Sequence, residues 1–479
     1  MLHIWNEMLQ DPGIQPDRFT IDLILPVLAQ RQDMTAIKNM LDEFVMKNPP
    51  HIVSNAFSAF MVSLNKSGRV LVARALFQAY IQPYFEPTWD TGRLRLVTPT
   101  AKHFNIILNG YRQEIQEQTD KNQVTKLSSE AWELFHQLSS NPTIAPDEFS
   151  LGIMMALATS PEQLCDLVGY ALDHFQKLSP VLQRSALTSF GQVGDAPSAL
   201  WLFSTYTLAS SQSGTREWNA LLGALSKTAR AGNTTSTSMA ESVAARRLAS
   251  TDGHSSPSFL KRVDGLASAD AAGAILELMI EGSEEMHVPR PDTQSFCLAA
   301  TALQYGNVDR KRAMEIFHEA QRLGLGADGR FLNAILRCFG SDIQNAVFAW
   351  KQDIRPACVR YENRKKRSSR RPTRTKGKNL VAAYNGLLYC CGRALRPDIG
   401  VRLVYAMVKE GLEPNENTLN AYRSGKRQSQ SMKEENLAKA FVRKLAILDP
   451  YESLLFVECT KYDRNDRRRA GEARVRIIL

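Results

Sequence analysis

The chain has 479 residues, a formal net charge of +10 and 44% hydrophobic residues, which is enough apolar material for a continuous core. No apolar run approaches the roughly 18 residues that span a bilayer, so the sequence predicts no membrane-spanning helix. The seven cysteines are scattered without a CxxC pair, which argues against a zinc site or a disulfide framework and indicates a reducing compartment.

The N-terminal residues 1–17 place Ile4, Trp5 and Met8 on one helical face and end in Gly-Ile-Gln-Pro-Asp. This is the pattern of the second helix of a hairpin whose first helix is absent. No presequence or signal peptide is recognisable. We expect an incomplete first repeat, either because the chain is truncated or because another molecule completes the open repeat, and truncation is the preferred explanation.

Helical hairpins follow one another through the first half of the chain. Residues 18–50 predict helices near 18–31 and 34–47, and residues 54–82 predict a hairpin with Gly68 in its turn. Residues 101–147 predict two helices separated by an extended loop near 114–126. Residues 148–178 and 179–214 show a less regular helical pattern. The segment 1–228 is therefore predicted to be a series of repeats.

The second half carries two insertions. Residues 229–265 are rich in Ser, Thr, Ala and Gly without helical periodicity and are predicted to be disordered. Repeats resume at 266–358, stop at a basic, flexible insertion at 359–379, and continue through 380–448. The tail, 449–479, is predicted to cap the stack.

The positive charge is concentrated in one segment, residues 360–378, with ten lysines and arginines and the single acid Glu362. The rest of the chain is nearly neutral, so the basic character is local. The segment is either a solvated insertion or an arm that contacts nucleic-acid phosphates; a nuclear localisation signal ranks lower. The phosphate-contacting candidates are Arg364, Lys365, Lys366, Arg367, Arg370 and Arg371.

A repeat of about 35 residues organises these hairpins. Tyr384-Asn385 returns as Leu419-Asn420 after 35 residues, and a fixed period near 34 residues is the signature of stacked helical hairpins. Similar starts are Phe104-Asn105, Trp218-Asn219 and Leu332-Asn333, and the ends in phase with them are Pro16-Asp17, Pro146-Asp147, Pro291-Asp292, Ala327-Asp328 and Pro414-Asn415. These segments resemble pentatricopeptide repeats of the P type. The resemblance implies an all-α fold, a right-handed α-α superhelix (solenoid) of stacked antiparallel hairpins.

The same resemblance implies sequence-selective binding of single-stranded RNA, one base per repeat, by the fifth and last residues of each repeat. An Asn–Asp pair then favours uracil, and an Asn–Asn pair a pyrimidine, cytosine more often. The implied pairs are Asn105/Asp147, Asn219/Asp292, Cys297/Asp328 and Asn385/Asn415, with Asn333 and Asn420 as further base-reading positions. Cys297 departs from the family pattern at its fifth position, as do Asp22, Ser58, Gly152 and Arg184.

Two alternatives stay open at this point. The asparagines are common helix caps and turn formers. The stack also suits a protein-interaction solenoid, for instance a subunit or assembly factor of a mitochondrial ribosome or another organellar complex. A positive groove favours RNA, and an apolar or acidic groove favours a protein partner.

Nothing in the sequence points to catalysis. It contains no Gly-rich phosphate loop, GxSxG or HExxH motif, and no deaminase zinc signature. We therefore predict a non-enzymatic protein without a cofactor or a small-molecule substrate. The expected partner is an organellar transcript, with ribosomal or RNA-processing proteins as further partners. By resemblance alone the expected location is the mitochondrion, with the plastid as the alternative.

Overall fold

The computed structural model describes residues 7, 17–31, 33–47, 50–81, 99–118, 120–141, 144–175, 177–207, 214–231, 262–282, 288–306, 310–325, 328–368, 377–415, 417–418 and 420–422. These residues form helices α1 (Arg18–Gln30), α2 (Met34–Lys47), α3 (Pro50–Lys66), α4 (Val70–Tyr80), α5 (Ala101–Glu117), α6 (Lys121–Ser139), α7 (Glu148–Leu157), α8 (Pro161–Phe175), α9 (Pro180–Val193), α10 (Ala196–Leu202), α11 (Thr215–Arg230), α12 (Ser268–Glu281), α13 (Thr293–Tyr305), α14 (Arg310–Arg322), α15 (Gly329–Arg337), α16 (Ile343–Ala349), α17 (Arg355–Ser368), α18 (Lys378–Arg393) and α19 (Pro397–Lys409). Single π-helical turns follow α10 and α16, at Phe203–Thr207 and Trp350–Ile354. The predicted all-α hairpin fold is confirmed.

The chain divides into two compact units, residues 1–189 and 190–479, with the division inside α9. In the first unit, helices α1, α3, α5 and α7 pack side by side, and each also packs against the helix that follows it in the chain. We call the members of this row first helices and their hairpin partners second helices. In the second unit the row of first helices is α11, α13, α15 and α18. Stacked hairpins of this kind bury a continuous core between neighbours.

In both units, aromatic contacts join a second helix to the first helix of the next repeat. Phe77 on α4 meets Phe104 on α5 edge to face, with ring centroids 5.0 Å apart. In the other unit Phe317 on α14 lies 6.3 Å from Phe331 on α15. The rings of Phe104 and Phe331 are fully buried. Because these contacts lie between repeats, no single hairpin completes its own core.

Turn residues end the helices where the sequence predicts. Gly68 and Gly411 have φ of +72° and +71°, a left-handed conformation that favours glycine, in the turns after α3 and α19.

Cys390 and Cys391 are fully buried, as expected for small apolar residues. None of the described helices is both long and apolar enough to cross a membrane.

The structure corrects one predicted boundary. The extended loop expected near 114–126 is wrong, because α5 continues to Glu117 and α6 begins at Lys121. The side chain of Asp120 accepts from the backbone N–H of Asn122 and so caps α6. The polar residues here belong to the exposed faces of two helices, which the sequence pattern presents as a loop.

The less regular stretch 148–214 contains the helices α7 to α10 and the π-helical turn Phe203–Thr207. Helix α17 continues to Ser368, so the first part of the predicted basic insertion has a helical backbone. Three groups of predicted segments lie outside the described residues: residues 1–16 apart from Glu7, residues 232–261 of the low-complexity insertion, and residues 423–479, which comprise the end of the last predicted repeat and the whole tail 449–479.

A buried histidine joins α3 to α5 and predicts a pH-dependent stability. His103 is fully buried; its Nδ1 accepts from the backbone N–H of Thr100 at 3.1 Å, and its Nε2 lies 3.0 Å from the carbonyl oxygen of Ser54. This network requires a neutral ring that is protonated on Nε2. Burial lowers the pKa of His103 below its ordinary value.

Because the unfolded chain binds this proton more readily than the folded chain, the contribution of His103 is complete above about pH 6.5 and declines as the pH falls. We expect urea unfolding of the wild type to lose more stability between pH 7.5 and pH 5.5 than unfolding of His103→Gln. Equal losses in the two proteins would contradict the assignment.

Candidate nucleic-acid interface

The first candidate site lies where α5 meets the N-terminus of α7. Asn105 on α5 donates through Nδ2 to both carboxylate oxygens of Asp147, at 2.9 and 3.1 Å. The hydroxyl of Ser150 on α7 lies 2.5 Å from Oδ1 of Asn105. Asn105 is only 6% exposed, whereas Asp147 is exposed. The predicted pair therefore meets directly, and a serine holds the other side of the amide.

Local sequence fixes the position of the carboxylate. Asp147 has an extended backbone and is the N-cap of α7. Its Oδ1 accepts from the backbone N–H of Ser150 at 2.8 Å, and its own N–H donates to the Ser150 hydroxyl at 3.2 Å. This reciprocal cap satisfies two backbone N–H groups and places the negative charge at the positive end of the helix dipole.

The second site repeats this arrangement in the other unit. Asn219 on α11 donates through Nδ2 to Asp292 at 3.1 and 3.3 Å, and the hydroxyl of Ser295 lies 2.7 Å from Oδ1 of Asn219. Asp292 caps α13 and is bonded reciprocally to Ser295. Asn219 and Asp292 lie 73 positions apart in the chain, with the low-complexity segment between them. Packing of α11 against α13 closes that separation.

The pair Cys297/Asp328 is also close in space but chemically different. Burial, followed by the negative charge of Asp328, raises the pKa of the Cys297 thiol to about 11, so the thiol is neutral at pH 7. Asp328 is the N-cap of α15 and makes no side-chain capping bond; the third residue after it is the buried Phe331. This junction has neither the amide nor the serine.

Asn333 has no equivalent partner. Its Oδ1 is buried and makes no hydrogen bond within the described part of the chain. Helix α18, which packs against α15, begins after Gly377 instead of at an Asp or Asn cap. Asn379 on α18 accepts instead from the backbone N–H of Gly329 at 3.0 Å. At the start of α18, Gly377 thus stands at the cap position that Asp147 and Asp292 occupy at the complete junctions.

The pair Asn385/Asn415 is only partly assembled. Asn415 forms a reciprocal cap with Thr418, with bonds of 3.0 and 3.1 Å. Asn385 is 8% exposed, and its Oδ1 is buried without a hydrogen-bond partner among the described residues. Asn420 is exposed in the short helical segment that follows. The interpretation of the asparagines as caps is therefore right for Asn415, while Asn105 and Asn219 bond the cap of the next repeat.

Exposed side chains stand two residues after the caps, next to these junctions. Phe19 is 71% exposed, Phe149 67% and Val181 58%, in the first turns of α1, α7 and α9. The equivalent positions in the second unit are polar, and Arg216 and Arg330 are exposed there. The exposed residues at these positions are thus apolar on α1, α7 and α9, whereas Lys102 on α5 in the same unit and Arg216 and Arg330 in the other unit are basic.

The predicted phosphate-contacting residues are described only in part. The structure describes only the backbone, in α17, of Arg364, Lys365, Lys366 and Arg367. Nothing of Arg370 and Arg371 lies within the described residues. Among the described residues no group of three His, Cys, Asp or Glu is placed to hold a metal ion.

The two complete junctions can present hydrogen-bonding groups to a flat ligand. An amide has two N–H donors and two oxygen lone pairs. After the bonds to the aspartate and the serine, the asparagine amide still has one N–H donor and one oxygen lone pair. These lie beside an exposed carboxylate and, at Asp147, beside the exposed ring of Phe149. Sequence reasoning missed Ser150, Ser295 and Phe149. The spacing Asp-x-x-Ser at the start of a helix was the signal for the serines.

Comparison with known proteins finds no matching family model and no matching curated protein. Among solved structures the chain is similar to the pentatricopeptide repeat protein PPR10 from maize, with 15% identity, 95% of this chain covered and a TM-score of 0.38. It is also similar to PPR10 in complex with an 18-nt psaJ RNA element, with 14% identity, 94% of this chain covered and a TM-score of 0.28. The chain spans 65% of the length of each. The resemblance to pentatricopeptide repeats, including the P-type subclass, stays a prediction.

Proposed function

We propose that this chain binds single-stranded RNA along the N-termini of its first helices, selects bases at the junctions of Asn105 and Asn219, and performs no catalytic step. The observation that carries the proposal is the recurrence of one Asn–Asp–Ser junction at the same position of two repeats in different units. A polar group that is oriented by two partners and occurs once in each unit suits a ligand that presents several flat, polar units.

Single-stranded RNA is such a ligand. Its unstacked bases expose their hydrogen-bonding edges and faces, and helical-repeat proteins can read one base per repeat with two or three side chains. Phe149 adds an exposed ring two residues beyond Asp147, and base–aromatic stacking contributes about 1–3 kcal/mol per base. Resemblance to pentatricopeptide repeats suggests uracil at both complete junctions and a pyrimidine at Asn385/Asn415.

The biological setting is part of the proposal. By the same resemblance the target is an organellar transcript, in the mitochondrion or alternatively the plastid, and occupation of the site influences transcript stability, processing or translation. The lysines and arginines of the basic segment contribute affinity for phosphates that is salt-dependent and independent of sequence.

Selection from a randomised pool of single-stranded RNA tests the proposal. We expect the wild type to enrich a pyrimidine-biased motif, and Asn105→Ala with Asn219→Ala to lose two positions of it. Each lost hydrogen-bonding contact is worth on the order of 1 kcal/mol, so the loss of one contact at each of the two junctions lowers the affinity for the selected RNA about 30-fold in the double variant.

Asn345→Ala is the matched control. Asn345 donates through Nδ2 to Asp342 at 2.7 Å, but this pair lies on the second helix α16. RNA binding should therefore be unchanged in this variant. Binding without enrichment, abolished when the six basic residues become glutamine, would show that the repeats read no sequence. That outcome would direct attention to the protein-interaction solenoid.

A further inference from the structure

The serine hydroxyl at each complete junction has only one consistent role. Ser150 Oγ lies 2.5 Å from Asn105 Oδ1 and 2.9 Å from Asp147 Oδ1, and a hydroxyl has a single hydrogen. If that hydrogen pointed to Asp147, the lone pairs of Ser150 Oγ and Asn105 Oδ1 would face each other at 2.5 Å. The hydroxyl therefore donates to Asn105.

The carboxylate of Asp147 and this bond together fix which end of the amide faces which neighbour. With the amide turned over, the carbonyl oxygen of Asn105 would face the carboxylate of Asp147, where Nδ2 now donates at 2.9 Å. Two acceptors would then be in contact and an N–H would face the serine. The orientation of an amide is assigned from such a network, and this network allows one orientation. Ser295 holds Asn219 in the same way, with 2.7 Å to Oδ1 of the amide.

The junction of Asn385 provides the contrast within the same chain. Thr418 occupies the place of the serine, but its hydroxyl bonds to Asn415, accepting from N at 3.0 Å and donating to Oδ1 at 3.2 Å. Oδ1 of Asn385 is buried without a partner in the described region. Asn415 offers a neutral amide where Asp147 and Asp292 offer a carboxylate. The amide of Asn385 is therefore held from neither side by the contacts that orient the other two.

We propose that Ser150 and Ser295 are positioning residues that set the base preference at their junctions by fixing the amides of Asn105 and Asn219. The inference rests on the proposed RNA binding. A fixed amide presents its remaining N–H donor on one side and its remaining oxygen lone pair on the other. It therefore suits only a base edge with an acceptor opposite the donor and a donor opposite the lone pair. An amide that is held only by the aspartate loses its second contact, so its remaining donor and acceptor are less precisely oriented and it discriminates less.

Parallel selections from a randomised single-stranded RNA pool test this role. Ser150→Ala should flatten the base preference at one position of the motif, the position that Asn105→Ala also flattens, and Ser295→Ala should act at the position of Asn219. The ratio of affinities for the preferred and the second-best base should fall about 3- to 10-fold, the effect of one hydrogen bond. Ser150→Thr keeps the hydroxyl and should retain the preference.

Ser198→Ala is the control for the loss of a cap. Ser198 stands in an Asp-x-x-Ser cap on the second helix α10, where its N–H and its hydroxyl both donate to the Asp195 carboxylate, the hydroxyl at 2.6 Å; none of the predicted base-reading residues lies on this helix. A purely structural role would reduce stability and the affinity for every RNA alike, as we expect for Ser198→Ala, and leave the base ratios unchanged. If Ser150→Ala does not fold, Ser150→Cys replaces the hydroxyl with a weak donor of similar size and should flatten the same position.

The outcomes separate the two proposals. A wild type that selects a motif retained by the alanine variants overturns the role of the serines alone. A loss of preference spread evenly over all positions also overturns it. A wild type that binds no single-stranded RNA removes the proposed function and this inference with it.

Discussion

Gly191→Ala is expected to destabilise the second unit by about 3 kcal/mol, the upper end of the usual cost of overpacking. Gly191 lies on α9 within residues 190–479, where the backbone of α11 approaches it closely. A Cβ at this position would lie 2.4 Å from Cα and 2.7 Å from the carbonyl oxygen of Ala224. No rotamer change relieves a clash with backbone, so the two helices must separate.

Gly169→Ala is the matched control for this substitution. Gly169 lies inside α8, and a Cβ there would have no heavy atom within 4 Å. Alanine in an open helical position stabilises by about 0.4–1 kcal/mol, chiefly by restricting the unfolded chain. Urea unfolding followed by circular dichroism checks both variants, with each transition fitted separately because two units need not unfold together. A Gly191→Ala protein as stable as the wild type would contradict the close approach.

Trp218→Ala is expected to cost about 3–5 kcal/mol, as for other large aromatic residues removed from a core. Trp218 is fully buried, and its ring meets Phe203 edge to face at 5.0 Å between centroids. Such pairs add about 0.5–1.5 kcal/mol beyond the area that they bury. Trp218 directly precedes Asn219 on α11, so the variant should also weaken base selection at that junction.

Two controls separate packing from recognition. Trp218→Phe keeps an aromatic ring and should lose less than half as much stability as the alanine variant. Phe149→Ala removes an exposed ring and should change stability by less than about 0.5 kcal/mol while weakening RNA binding. Circular dichroism melts and RNA titration measure the two effects. Equal destabilisation by Trp218→Ala and Phe149→Ala would contradict this division of roles.

The location of the helices could largely be read from the sequence. Helices near 18–31 and 34–47 were predicted and occur at Arg18–Gln30 and Met34–Lys47. Apolar spacing and turn glycines are local signals, which is why these predictions succeeded. The loop predicted near 114–126 failed because exposed helical faces and loops have similar polar composition.

The candidate site could be predicted only in part. The pairs Asn105/Asp147 and Asn219/Asp292 were predicted from their phase in the repeat, and the structure brings both pairs into hydrogen-bond distance. Whether they read bases stays a prediction. The serine was missed because its spacing after the aspartate indicates only a local helix cap. Its second contact comes from the preceding repeat.

The sequence by itself determined the repeat period, the caps that begin the first helices and the residue types at each junction, because these depend on interactions within a few residues. Only the tertiary structure decided which junctions are complete. Asn219 reaches Asp292 across 73 positions because α11 packs on α13, whereas Oδ1 of Asn333 is without a hydrogen bond beside α18. Both outcomes depend on how neighbouring helices align, and that alignment is set by side-chain packing between distant segments.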